Sequence, residues 1–168
     1  NENEVDGSKM EIPTTVTSID YNAFSNCSQL TEVIIPTTVS AIQSNAFQNC
    51  IGLTAIDIPE TVTYLGNSVF NGCHGFSEII LPSTIEIIED NCFANCINLS
   101  VIHLPENLKQ IGGYAFQYCN IIHFDIPTNV SQIGYCAFQG CPIVDITIPS
   151  SINYVNGNWF SQCDFLYH

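Results

Sequence analysis

The 168-residue chain contains no Arg and only two Lys, Lys9 and Lys109, against sixteen Asp and Glu. A net charge of −14 excludes a nucleic-acid binder, because phosphates are held by Lys and Arg that displace counterions. Charged partners of such a chain are expected to be basic. Long apolar runs are also missing. Hydrophobic residues make up 46% of the chain, yet no run approaches the roughly 18 residues of a membrane span, so no membrane insertion is expected in this segment. The opening, NENEVDGSKMEIP, has neither an initiator Met nor the apolar stretch of a signal peptide. It reads as an excised fragment or a mature form, with any secretion signal or anchor lying outside it.

What the chain has is repetition. Pro13, Pro36, Pro59, Pro82, Pro105, Pro127 and Pro149 recur at steps of 23 and then 22 residues, and Phe24, Phe47, Phe70, Phe93, Phe116, Phe138 and Phe160 keep the same steps. So do Cys27, Cys50, Cys73, Cys96, Cys119, Cys141 and Cys163. A period of this size, held in three residue types, marks a solenoid. Segments such as LTEVIIP (30–36) and LTAIDIP (53–59) alternate buried and exposed positions as a strand with one buried face does, and Pro ends the strand because it has no N–H to give. A second apolar column runs Val16, Val39, Val62, Ile85, Leu108, Val130, Ile152, and a third runs Ile19, Ile42, Leu65, Ile88, Ile111, Ile133, Val155. Gly66, Gly112 and Gly134 follow the third column and suit a corner. The AF..C piece places Phe and Cys at i and i+3, which predicts one helical or 3₁₀ turn facing inward. No unit buries its apolar side alone, so the Phe–Cys recurrence is a packing column between stacked coils.

The pattern L-x-x-I-x-(I/L)-P-x-x-V-x-x-I-x-x-x-A-F-x-x-C resembles the BspA-like leucine-rich repeats, the Treponema pallidum type. The expected fold is a leucine-rich repeat solenoid of seven 22–23-residue coils. A parallel β-sheet would form the concave face, with short second strands and 3₁₀ or helical turns on the other sides. Residues 1–9 are expected as an N-terminal tail and 10–168 as the solenoid, itself a fragment of a longer array. The column Thr15, Thr38, Thr61, Thr84, Asn107, Asn129, Ser151 departs from the Asn or Cys of ordinary leucine-rich repeats, but hydroxyls and amides still satisfy a turning backbone. One residue is lost after Cys119 and again after Cys141, which places Ile121, Ile143 and Phe165 in the Leu column and should tighten a corner. The resemblance implies a cell-surface or secreted protein that adheres to host cells or matrix proteins, and it carries no catalytic motif to transfer.

Nine cysteines raise the question of disulfides. Ladder neighbours are close enough to bridge, but side chains in register point alike and seven cannot all pair, so buried free thiols are the expectation. Cys92 takes the small position beside Phe. Cys136, in the column of Asn22, Asn45, Ser68, Asn91, Tyr114 and Asn158, is expected to be an exposed, oxidisable thiol. No cysteine spacing fits zinc.

The concave positions are the candidate site: Glu32, Ile34, Asp57, Glu78, Ile80, His103, His123, Asp125 and Asp145. His103 should neighbour Asp125, and His123 should neighbour Asp145. These four are weaker candidates for a divalent metal site, since carboxylate–imidazole pairs on a sheet need no metal. No Ser shares the face for a Ser–His–Asp arrangement. His74 and His168 are expected to be solvated. Ile34 and Ile80 fit a partner-binding patch, or simply a β surface without a partner. Sequons at Asn26, Asn98 and Asn129 are no more than chance supplies. No cofactor and no catalysis are expected. The leading expectation is a scaffold binding proteins, among them host matrix or cell-surface proteins. The alternative is an assembly module associating end to end, because neither Gly7 at the start nor FLYH (165–168) at the finish reads as a polar cap.

Overall fold

The computed structural model describes residues 8–156 and 158–164. The chain alternates three-residue and two-residue strands. They are β1 (Lys9–Glu11), β2 (Ser18–Ile19), β3 (Glu32–Ile34), β4 (Ala41–Ile42), β5 (Ala55–Asp57), β6 (Tyr64–Leu65) and β7 (Glu78–Ile80). Then follow β8 (Ile87–Ile88), β9 (Val101–His103), β10 (Gln110–Ile111), β11 (His123–Asp125), β12 (Gln132–Ile133) and β13 (Asp145–Thr147). Odd-numbered strands line the concave face, even-numbered strands a second face, and all pairings are parallel. The seventh coil forms its first strand and its turn but, among the described residues, no second strand, and its Val155 is 55% exposed. Gly7, Phe165 and the rest of FLYH, including His168, lie outside the described residues.

The core is the set of columns. Phe47, Phe70, Phe93, Phe116 and Phe138 are fully buried, and neighbouring rings from Phe24 to Phe160 stack with centroids 5.1–5.8 Å apart. That spacing is near the separation of paired strands, so one coil adds one ring to the stack. The polar column Thr38, Thr61, Thr84 and Ser151 donates its hydroxyls to the carbonyls of Val16, Val39, Val62 and Val130 one coil back. At Gly134 an added Cβ would lie 2.3 Å from the nitrogen of Gly113, so the corner glycine is required by close approach of neighbouring coils.

The AF..C segments are tight turns, and the described residues contain no helix. The amides of Ala23, Ser25 and Cys27 reach back three residues, while those of Asn22, Phe24 and Asn26 reach carbonyls of Ser44, Ala46 and Gln48 in the next coil. Asn22 and Asn26 have φ of 55° and 63°, and later coils repeat the pattern with Asn45 and Asn49, or Asn91 and Asn95. Two left-handed residues per turn stop a helix from propagating, which is why the predicted helical turn does not form.

Cysteine has a specific task here. Cys50, Cys73, Cys96, Cys119, Cys141 and Cys163 each donate Sγ–H to the carbonyl of the Phe in the preceding coil, at 2.9–3.1 Å. The thiol packs as a small apolar group and supplies a weak donor. Burial pushes the Cys50 thiol up to about 11 and those of Cys96 and Cys141 to about 12, so they stay protonated at neutral pH. All nine cysteines are free. Cys27, first in the ladder, is exposed, and Cys136 is buried at 3% exposure. The expectation of an exposed Cys136 fails: it shares the positive φ of its column (53°), yet its small apolar side chain is buried where the Asn, Ser and Tyr of other coils are exposed or half-buried.

Candidate binding surface

The concave face carries the nine candidate residues at its outward positions, and the structure sorts them into three groups. The ladder joins β1, β3 and β5, then stops; β7 pairs only with β9, and β11 only with β13. Glu32, Ile34 and Asp57 fall in the first stretch, Glu78, Ile80 and His103 in the second, and His123, Asp125 and Asp145 in the third. Ile34 and Ile80 are 53% and 63% exposed.

Each interruption has an aromatic residue beside it. The Leu column holds Phe76 two residues before β7, fully buried and edge-on to Phe70 at 5.6 Å. Elsewhere in β3 to β13 the central strand position is Val or Ile, but in β11 it is Phe124, packed 5.3 Å from Phe116 and 4.8 Å from Phe138. A ring in place of an aliphatic side chain needs room that a densely packed interior can find only by displacement. The second interruption also sits where the period drops from 23 to 22, whereas β11 and β13, both in 22-residue coils, pair normally. The lost residue thus coincides with the second interruption but not with the first, which lies between coils of equal period.

Clefts lie at both interruptions, and a smaller one of about 310 Å³ lies over the paired β3 and β5. One of about 840 Å³ lies between β5 and β7, with Ile56, Asp57, Glu78, Ile79 and Ile80 among its lining. The other, about 410 Å³, lies between β9 and β11 and is bordered by His103, His123 and Asp125.

Three carboxylates on the face are engaged: Glu32 by Lys9 at 2.6 Å, Glu78 by His103 Nε2 at 2.8 Å and Asp145 by His123 Nδ1 at 3.4 Å. His123 and Asp145 meet as the register dictates. His103 does not meet Asp125: β9 pairs with β7 and not with β11, and His103 lies against Glu78 in the preceding coil. Asp57 and Asp125 have no ion-pair partner among the described residues. No three His, Cys, Asp or Glu side chains group so as to hold a metal ion among these residues. His74 is half-buried, and its carbonyl accepts from Asn98 Nδ2 at 2.7 Å. Sequence reasoning missed the clefts, although the two aromatic departures at Phe76 and Phe124 were available as signals.

Comparison with known proteins bears on the family. A family model described as the BspA type leucine-rich repeat region matches in six copies, over residues 3–123 and 86–168. A leucine-rich cell surface protein of Faecalibacterium prausnitzii is similar, with 26% identity and a TM-score of 0.66 over 83% of this chain and 47% of that one. A leucine-rich repeat protein of Eubacterium ventriosum has 25% identity and a TM-score of 0.69, over 90% of this chain and 47% of that one. The leucine-rich repeat protein of T. pallidum shares the fold at 23% identity and a TM-score of 0.70, over 77% of this chain and 70% of that one. The chain spans about half the length of the Faecalibacterium protein. No curated protein matches. With the coil, its three columns and its free-thiol ladder in place, and with the family model covering nearly the whole length, the chain belongs to the BspA-type leucine-rich repeat family.

Proposed function

We propose that this chain is a non-catalytic scaffold at a cell surface or in the secreted space that adheres to host-cell or matrix proteins through its concave face. The observation that carries the reading is the placement of Glu32, Asp57, Glu78, Asp125 and Asp145 along one face with exposed Ile34 and Ile80 between them. Solenoid concave sheets are extended surfaces suited to multivalent contact. Carboxylates meet basic groups of the partner, and the two Ile side chains supply apolar anchors. Likeness to a cell surface protein supports the location. The test is adhesion of the E32K/D57K/E78K variant to cells or matrix-coated surfaces. Adhesion should fall by at least about tenfold, as loss of electrostatic complementarity predicts. Unchanged adhesion removes the concave-face claim.

A second reading, end-to-end association, is favoured by an apolar cleft of about 210 Å³ in the first coil, lined by Met10, Ile12, Val16, Ile19 and Phe24 among others. Sedimentation across concentrations tests it. Association that survives the triple charge reversal but is lost in Met10→Glu assigns it to this end.

A further inference from the structure

The turn face differs from the concave face in carrying almost no charge. Segments 22–28, 45–51, 68–74, 91–97, 114–120 and 136–142 contain no Asp, Glu, Lys or Arg, and the seventh, 158–164, has Asp164 alone, although the chain has sixteen acids and two Lys in all. Carboxamides stand there and bond from coil to coil. Asn49 Nδ2 donates to Asn26 Oδ1 at 3.1 Å, Asn95 Nδ2 to Asn71 Oδ1 at 3.2 Å, Gln117 Nε2 to Gln139 Oε1 at 2.6 Å and Gln139 Nε2 to Gln162 Oε1 at 3.5 Å. The Tyr118 hydroxyl bonds Gln162 Oε1 two coils away at 3.2 Å. Its ring crosses Gly140, where a Cβ would lie 2.3 Å from Tyr118 Cδ1. Beside the amides, Ile51, Ile97 and Tyr118 are 48%, 50% and 42% exposed.

Each carboxamide has two N–H donors and two lone pairs on its oxygen. A ladder that uses one donor per rung leaves the second available, and it holds the amide in place before any ligand arrives, which lowers the entropy lost on binding. These bonds join the first two coils, the third and fourth, and the fifth to seventh, and they leave fixed donors and acceptors, beside apolar and aromatic surface, on coils spaced 5.1–5.8 Å apart in the Phe stack.

Partner chemistry follows by elimination. A polyanion finds no cation here to pair with, and a basic protein finds only Asp164 at one end. A second copy of this chain brings another −14 against −14, which opposes lateral stacking. A neutral sugar chain fits: its hydroxyls both donate and accept, its C–H faces lie on Ile and Tyr, and an extended β-linked hexose polymer advances by about one coil spacing per sugar. We propose that the turn face binds a neutral, linear, β-linked polysaccharide laid along the solenoid axis, one sugar per coil. This is independent of the concave-face reading.

The experiment is calorimetric titration of the full chain with cellohexaose and chitohexaose, with a heparin hexasaccharide as the charged control. One of the neutral hexaoses should bind, with affinity unchanged by added salt. The I51E/I97E double variant, altered at exposed positions, should lose at least tenfold in affinity with an unchanged circular dichroism spectrum. Should that variant fail to fold, Tyr118→Ala carries the same expectation. The E32K/D57K/E78K variant should bind the hexaose as the parent does, whatever it does in adhesion. Absence of heat with both neutral hexaoses overturns the proposal, as does equal binding by the folded variants or a preference for heparin. Concentration-dependent dimerisation without glycan binding also overturns it and assigns the amide ladder to self-association.

Discussion

Along the turn face, the amides of Phe24, Phe47, Phe70, Phe93, Phe116 and Phe138 each reach a carbonyl in the following coil, whereas the concave face loses its ladder between β5 and β7 and again between β9 and β11. The same coils stack in both regions, so the difference lies in what each column holds. On the turn side, Phe meets Phe and thiol meets thiol at every step, and the backbone follows without interruption. On the strand side the column changes residue type at Phe76 and Phe124, and the period changes beside the second of these. The second face is interrupted as well, between β6 and β8, in the same pair of coils as the first concave break. The turn face is thus the structural spine, and the concave face is divided into patches that a partner can address separately.

The largest effect should come from breaking the spine. Phe93→Ala removes a fully buried ring from the middle of the stack, and substitutions of this kind cost about 3–5 kcal/mol. Ile80→Ala, at a position 63% exposed on the concave face, should stay within about 0.5 kcal/mol. Denaturant titration of the two variants measures the contrast directly, and similar losses would remove the distinction between spine and face.

Alkaline titration tests the same spine through its thiols. Folding raises the thiol of Cys96 and that of Cys141 to about 12 from an ordinary value of 9.0. The stabilisation is therefore complete below pH 9 and is lost as pH climbs from 9 toward 12, because the unfolded chain ionises first. Each such thiol contributes a slope of about 1.4 kcal/mol per pH unit in that window. Replacing Cys96 and Cys141 with Ala should flatten the slope by two such increments, at some cost in stability at neutral pH. An unchanged slope would mean that these thiols do not titrate with unfolding.

The concave interruptions can be sharpened by restoring the column. Phe76→Leu gives the residue found in the equivalent places at Leu30, Leu53 and Leu99, at a cost of about 1–2 kcal/mol for lost volume. If the ring holds the strands apart, hydrogen exchange in Ala55–Asp57 and Glu78–Ile80 should slow as the ladder closes, despite the lower global stability. Exchange that stays fast would place the cause of the cleft elsewhere.

Most of this fold was legible in the residues, because stacking in register makes the burial of one coil a statement about all of them. The strand positions, the three apolar columns and the outward set from Glu32 to Asp145 follow from periodicity alone. The turns were misread because an i, i+3 pair of apolar residues looks the same in a helix and in consecutive tight turns. The distinguishing sign, Asn recurring at Asn22, Asn26, Asn45, Asn49, Asn91 and Asn95, is a backbone preference that hydrophobic patterning does not register. Cys136 was misplaced because its column was judged by its polar members, whereas a thiol packs as a small apolar group. The His103 partner depends on whether two particular strands pair, which the outward column that holds His103 does not reveal.

The smallest effect is expected at the His103–Glu78 contact, which bridges β9 to β7 within the central patch. Its side chains are 54% and 56% exposed, and exposed pairs of this kind contribute about 0–1 kcal/mol because solvent screens them and two side chains must be held in place. His103→Ala should therefore leave the denaturation midpoint nearly unchanged. The substitution does uncover the Glu78 carboxylate beside the β5–β7 cleft, so adhesion mediated by the concave face should hold steady or rise by a few-fold. A drop in adhesion would make the imidazole itself a contact. A large loss of stability would show that the ladder between β7 and β9 depends on this pair, and with it the division of the face into patches.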